Sequence, residues 1–379
     1  MRIVVLGYIV RGPMGGLCWH IFQYVLGFKK LGFEVLFLED SDNYPSCYNP
    51  DIFQTTTDCS YGLKFIDKLF KKYCLQKSWA YYDEHTNSWF GQSRSYVTEF
   101  CNSSDLVLNI SNMNPLREWW TNIPVRILLD TDPAFTQMRH LEEENSRKVA
   151  EHHTDFFTFG ENFGKQNCRI PDDGFNWKPT RQPVVLDLWK VSEPLPNGRW
   201  TTVMLWDSYK VRHFKGLNFG MKSASFDDYF ELPTKINDRF ELAVGNTTAP
   251  RERLISLKWN LSDSSTITET PHSYQHYIQC SKGEWSIAKH GYVVSNGGWF
   301  SERSTCYLAT GKPVVVQETG FSKFIETGKG LFAFNSPAEA IAAIEEINLD
   351  YQRHCNYARK VVEEYFDSKF VLNTILEKL

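Results

Sequence analysis

Residues 293–321 constrain this chain more than any other stretch. They read Val-Val-Ser-Asn-Gly-Gly-Trp-Phe-Ser-Glu-Arg-Ser-Thr-Cys-Tyr-Leu-Ala-Thr-Gly-Lys-Pro-Val-Val-Val-Gln-Glu-Thr-Gly-Phe. The spacing predicts a strand over residues 291–295, a glycine pair at Gly297 and Gly298, and a helix over residues 299–309. Gly311 suits the position just past a helix end, and Pro313 prevents the helix from continuing. Val314, Val315 and Val316 then read as a short buried strand, followed by the polar run Gln317-Glu318-Thr319-Gly320. A strand–loop–helix–strand unit belongs to a parallel sheet, and such sheets bind ligands at the carboxyl ends of their strands. The helix start offers free N–H groups and the positive end of its dipole, with Ser301, Arg303, Ser304 and Thr305 in or beside its first turn. A diphosphate suits that place. A plain βαβ unit with a glycine turn would explain the glycines alone. The polar run on the same sheet edge adds groups that can hold sugar hydroxyls.

The chain begins in the same style. Residues 2–7 read as a buried strand, and Arg11 to Gly16 as a loop. Leu17, Ile21, Tyr24, Val25, Phe28 and Leu31 recur at helical spacing. Gly32 ends that helix, and residues 34–39 read as the next strand. The Gly-x-Gly-x-x-Gly fingerprint is missing, so a dinucleotide site is not supported. Residues 40–60 read as an irregular surface segment, 61–75 as an amphipathic helix, and 76–95 as aromatic and polar without a clear period. Further buried strands are expected at 105–110 and 125–129. The second ends in Asp130-Thr131-Asp132-Pro133, where carboxylates meet the ligand edge of a parallel sheet. One of these carboxylates reads as a helix cap and the other, Asp132, as a site residue. A charged helix over 140–153 and a strand over 156–159 follow. Residues 167–200, rich in Pro, Asp, Asn, Gly and Trp, read as the crossing to a second domain. That domain opens with a strand at 201–205. Ser208 and Lys210 follow it within reach of a phosphate, although an exposed Lys is ordinarily just solvated. A strand at 240–244, a helix at 273–280, a turn at 281–285 and helices over 337–347 and 349–379 complete the pattern.

Gly-Gly-Trp-Phe-Ser-Glu-Arg-Ser (297–304), Gly-Lys-Pro-Val-Val-Val (311–316) and Gln-Glu-Thr-Gly (317–320) together resemble the donor site of GT-B-fold glycosyltransferases, over the last third of the chain. The resemblance implies an α/β protein of two Rossmann-like domains facing each other across a cleft. In that family a glycine-rich loop and helix N-terminus hold the diphosphate of a nucleotide sugar, and the pair after the Gly-x-Pro strand holds the sugar. Carried over, Gly297, Gly298, Ser301, Arg303 and Ser304 meet the diphosphate, and Gln317, Glu318, Thr319 and Gly320 meet the sugar. Many members carry a ribose-binding Glu where this chain has Cys306; the alternatives are Glu302, one turn earlier, as the substitute, or a different ribose contact. Gly15-Gly16-Leu17-Cys18-Trp19-His20 is similar to the N-terminal loop of several inverting members. There the resemblance implies His20 as general base; the alternative is a helix-face histidine with a satisfied hydrogen bond. One of Asp130 and Asp132, with Asp132 ahead, stands at the strand end where it can orient that imidazole. The implied domains are 1–185 for the acceptor, 186–360 for the nucleotide-sugar donor, and a C-terminal helix, 361–379, crossing back to the first domain.

Composition narrows the function classes. A net charge of −4 with no long basic run argues against a nucleic-acid partner. No apolar stretch reaches the ~18 residues of a membrane span. Nine scattered cysteines without a Cys-x-x-Cys pair read as free thiols in a reducing cytoplasm. An aromatic content of 15% mildly favours carbohydrate, because rings stack on sugar C–H faces. No metal-ligand spacing stands out, and Asp130-Thr131-Asp132 is discounted as a metal motif in this setting. The expectation is a cytoplasmic, metal-independent, cofactor-free glycosyltransferase acting on a small molecule or glycan, with inversion by direct displacement favoured and retention as the other stereochemical outcome. The alternatives are a nucleotide-sugar 2-epimerase of the same fold, a non-catalytic sugar-binding protein, and a transferase for a modified DNA base.

Overall fold

The computed structural model describes residues 1–245 and 248–379. Two sheets dominate it. The first has eight strands in the order Trp177–Pro179, Asp155–Thr158, Val125–Asp130, Leu106–Ile110, Arg2–Leu6, Glu34–Asp40, Trp79–Asp83, Ser88–Gly91. All neighbours pair in parallel except the last two. The second has six parallel strands in the order Asn260–Asp263, Phe240–Gly245, Trp200–Leu205, Gly283–Ser286, Val314–Gln317, Leu331–Phe334. Strand order reverses beside Arg2–Leu6 in the first sheet and beside Trp200–Leu205 in the second. Crevices at such reversals are where open α/β sheets bind ligands.

Alternation along the strands explains why both sheets are covered on both faces. Ile3 and Val5 pack into one core with Phe22, Val25 and Phe37, while Val4 and Leu6 pack into another with Phe100, Val107 and Trp120. In the second sheet Val314 and Val316 join the core that contains the first helix, whereas Val315 packs with Trp200, Trp285 and Phe334.

The first helix, Gly15–Lys30, is buried nearly all round. Glycines let it approach its neighbours. A Cβ on Gly15 would lie 2.2 Å from the Thr270 carbonyl oxygen, and one on Gly27 would lie 2.5 Å from a Leu372 methyl carbon. The first helix therefore packs against the Pro271–Gln279 helix at one end and the C-terminal Ser368–Glu377 helix near the other. Trp19 Nε1 donates to the Pro271 carbonyl at 2.8 Å across the first of these contacts.

Several elements differ from the sequence expectation. Residues 291–295 lie in a short helix, His290–Ser295, ended by left-handed Asn296. The strand expected there is Gly283–Ser286, which the sequence suggests is a turn because only Trp285 in it is large and apolar. The later helix starts at Glu302, with Ser301 as its N-cap. The segment 76–95 holds a hairpin, Trp79–Asp83 and Ser88–Gly91, turned at left-handed Asn87. Residues 140–153 are not one helix: Phe135–Glu142 and Glu144–Glu151 are separated by extended Glu143. The cap of the first of these is Ala134, so neither Asp130 nor Asp132 caps it by its side chain.

Gly15→Ala should therefore cost about 1–3 kcal/mol by overpacking against backbone. Gly16→Ala should stay within about 1 kcal/mol of native, because the nearest atoms to its Cβ would be those of the Tyr274 ring, at 3.2 Å, and not backbone. Denaturant melts of both variants check this contrast.

Candidate active site

A cleft of about 410 Å³ lies where the two reversals face each other. Tyr8, Thr131 and Asp132 reach it from strand ends of the first sheet, and Gly16 and His20 from the first helix. Val203 to Leu205, Lys222, Lys289 and the Ser301–Arg303 helix start come from the other side.

Arg303 is fixed beneath the helix start. Its guanidinium donates to Glu284 at 2.6 Å, the Val203 carbonyl at 2.9 Å and Ser286 at 2.8 Å. Burial works against the cation, and Glu284 more than offsets it, so Arg303 stays charged. Lys222 lines the cleft on the same side. Burial, then the Arg303 cation, hold its ammonium well below the ordinary lysine value. Glu302 occupies the first helical position and brings a carboxylate into the same space. Ser301 Oγ caps the helix by accepting from Arg303 N at 3.2 Å.

The glycine pair serves the contact between the sheets. A Cβ on Gly297 would lie 2.7 Å from Ile170, and one on left-handed Gly298 would lie 2.9 Å from Asn162 N. Gly297 O accepts from Asn162 N and Gly298 N donates to Thr319 O. Ser304, Gln317 and Thr319 line a narrow crevice beside the cleft. Ser304 Oγ is buried there without a hydrogen-bond partner. Gln317 accepts from Ala288 N at 3.1 Å, and Thr319 donates to the Trp299 carbonyl. Glu318 accepts from the N–H groups of Thr319 at 2.9 Å and Gly320 at 2.5 Å, so its carboxylate closes its own turn around left-handed Gly320. Cys306 is buried and donates to the Glu302 carbonyl.

On the first-sheet side, His20 is buried, with Nδ1 2.6 Å from Gln182 Oε1. Burial lowers the imidazole below the ordinary histidine value; Glu302 and the Gln182 bond pull it back in part. Asp130 is wholly engaged by Gln137, Thr158 and Asp132 N, at 2.7 to 2.9 Å. Asp132 reaches across the cleft, accepting from Tyr209, Tyr292 and Lys289 of the second sheet's side. Burial raises the Asp132 carboxyl, but Lys289 and the two phenols outweigh that and hold it low. Among the described residues no three His, Cys, Asp or Glu side chains group as a metal site. No described helix is long and apolar enough to cross a membrane.

Comparison with solved structures accounts for this architecture. An alpha-glucosyltransferase in complex with UDP-glucose and DNA containing an abasic site aligns over 100% of this chain and 99% of its own, at TM-score 0.60 and 11% identity. Anabaena Alr3699/HepE in complex with UDP and glucose aligns over 100% and 99%, at TM-score 0.52 and 11% identity. The chain has the GT-B fold. A glycosyltransferase from Rickettsia africae ESF-5 also matches, over 100% and 97%, at TM-score 0.50 and 12% identity. No protein-family model and no curated protein matches the sequence. Lys222 and Lys289 are among the cleft residues that sequence reasoning missed. Each is a lone lysine in its segment, and only the fold brings them to Arg303.

The Asp132 cluster has a sign that can be tested. A carboxyl held below its unfolded value of about 3.9 stabilises the fold at neutral pH and loses that contribution as pH falls through this range. Native protein should therefore lose stability more steeply below about pH 4 than Asp132→Asn does, with Asp132→Asn the less stable of the two at pH 7. Thermal melts from pH 3 to 7 check it.

Proposed function

We propose that this protein is a glycosyltransferase that moves a sugar from a nucleotide-sugar donor to an acceptor hydroxyl. The observation that carries the reading is the cleft itself. A capped helix start, the fixed Arg303 cation and Lys222 converge on one side, and an imidazole faces them from the other. In this reading residues 186–360 hold the donor, residues 1–185 the acceptor, and residues 361–379 tie back to the first part. The diphosphate lies against Lys222, Lys289 and the N–H groups of the Glu302–Ala309 helix start. Its negative charge opposes the burial and the Arg303 repulsion that lower the Lys222 ammonium. Glu302 lines the same cleft, and its carboxylate is assigned to sugar or ribose hydroxyls. UDP is the first nucleotide to test, because the structural neighbours bind it.

The chemistry proposed is direct displacement with inversion. His20 Nε2 takes the proton of the acceptor hydroxyl, whose oxygen bonds to the anomeric carbon. The bond from that carbon to the diphosphate oxygen breaks, and the nucleoside diphosphate leaves with the electron pair. Lysines and helix dipole meet the developing charge, so the reaction is proposed to be metal-independent. A base of this kind contributes about 10²–10⁴-fold. A small molecule or glycan is the proposed acceptor, in keeping with the net charge of −4. A second reading, a modified base in DNA, has its own support in the neighbour bound to DNA containing an HMU base. Label transfer to such a duplex, against transfer to glycans, separates the two.

UDP should raise the melting temperature, as a native-state ligand does, and Lys222→Met should weaken its binding at least about tenfold. No shift with any nucleoside diphosphate would overturn the donor site. His20→Ala should lower kcat by about 100-fold or more with donor affinity nearly intact; near-native kcat would remove His20 as base.

A further inference from the structure

Gln182 lies 162 positions from His20 in sequence, in the segment that crosses from one sheet to the other. Both residues are buried. The amide of Gln182 has three close partners. At one end its nitrogen meets the His20 carbonyl at 3.0 Å and the Pro183 carbonyl at 3.1 Å. At the other its oxygen meets His20 Nδ1 at 2.6 Å. Carbonyl oxygens only accept, so the amide end facing two of them must be the NH₂ group. The end facing the ring is then the oxygen, which needs a proton from Nδ1. The neighbouring bond from Val185 N to Gln23 Oε1, at 2.8 Å, holds the crossing segment on the same helix.

We propose that Gln182 is the positioning residue of the site: it fixes His20 as the Nδ1–H tautomer and leaves the Nε2 lone pair as the ring's only base. The amide gives the orientation that a carboxylate would give, without adding charge. A carboxylate there would hold the imidazole protonated to higher pH and leave less free base near neutrality. Glu302 faces His20 from the opposite helix, Tyr24 from its own helix and Phe159 from the first sheet. The cleft's remaining charged and titratable groups are Tyr8, Asp132, Lys222, Lys289, Tyr274, Tyr292 and Arg303. None of these groups bonds Nδ1; among the described residues its hydrogen-bond partner is Gln182.

The use of this tautomer in catalysis rests on the reading of His20 as base; the tautomer itself does not. The test has two arms on the full chain. The ¹⁵N shifts of labelled histidine, with His20→Ala giving the assignment, report which ring nitrogen of His20 carries the proton. At pH 7.5 the expected state is protonated Nδ1 and bare Nε2; the reverse tautomer or an even mixture overturns the proposal, with no variant of Gln182 needed. In the second arm, Gln182→Glu should move the acid limb of kcat upward by about one pH unit or more. Gln182→Met should lower kcat about tenfold while leaving KM for the donor within about twofold. An unmoved limb in Gln182→Glu, with His20→Ala inactive, overturns the positioning role. An active His20→Ala with the Nδ1–H tautomer in place overturns the base reading instead and leaves the tautomer assignment standing.

Discussion

The packing of the first helix between the two halves is the constraint on which the rest depends. Gly15–Lys30 carries apolar residues on every side, and such a helix must be surrounded. The first sheet covers part of it. The rest is covered by the Pro271–Gln279 and Glu302–Ala309 helices and by the C-terminal helix, all drawn into one core with it. Apolar burial at roughly 25 cal/mol per Å² favours this arrangement strongly. Because it is close-packed, with helix backbone against the Thr270 carbonyl, it also fixes the distance between the two sheets. His20 and the Glu302 helix start face each other as a result of that packing.

The cleft's electrostatics follow from the same geometry. The second half brings cations and a helix start, and the first half brings an imidazole and the Asp132 carboxylate. Asp132 does not orient His20, as the sequence reading expected. It is taken up by Lys289, Tyr209 and Tyr292, and His20 is oriented by an uncharged amide. Lys289 thus faces both Asp132 and the cleft, so a bound anion and the tie between the halves compete for the same cation. A half-buried ion pair of this kind is costly to leave with one partner removed.

Much of the fold was legible because its signals are local. The Val314 strand, its Gly311 stop and the Ser336 cap depend on neighbours in sequence, and each stands within a residue or so of its expected place. The glycines were legible as close approaches but not by partner. Gly15, Gly297 and Gly298 accommodate other parts of the chain, at Thr270, Ile170 and Asn162, and no local pattern names those partners. Residues 291–295 misled because Tyr-Val-Val is β-prone, while tertiary packing holds it helical beneath Phe135 and Phe219. Lys222, Lys289 and Gln182 carried no signal at all, since their meaning comes wholly from positions far away in sequence.

Hydrogen exchange tests whether the cleft between the sheets holds the nucleotide-sugar donor. With UDP added, amides of the Glu302–Ala309 helix start and the segment around Lys222 should exchange more slowly, and helix 144–151 should be unaffected. Protection confined to the surface groove of Arg139, Lys210 and Arg212, or no protection at the helix start, would rule out the cleft as the donor site.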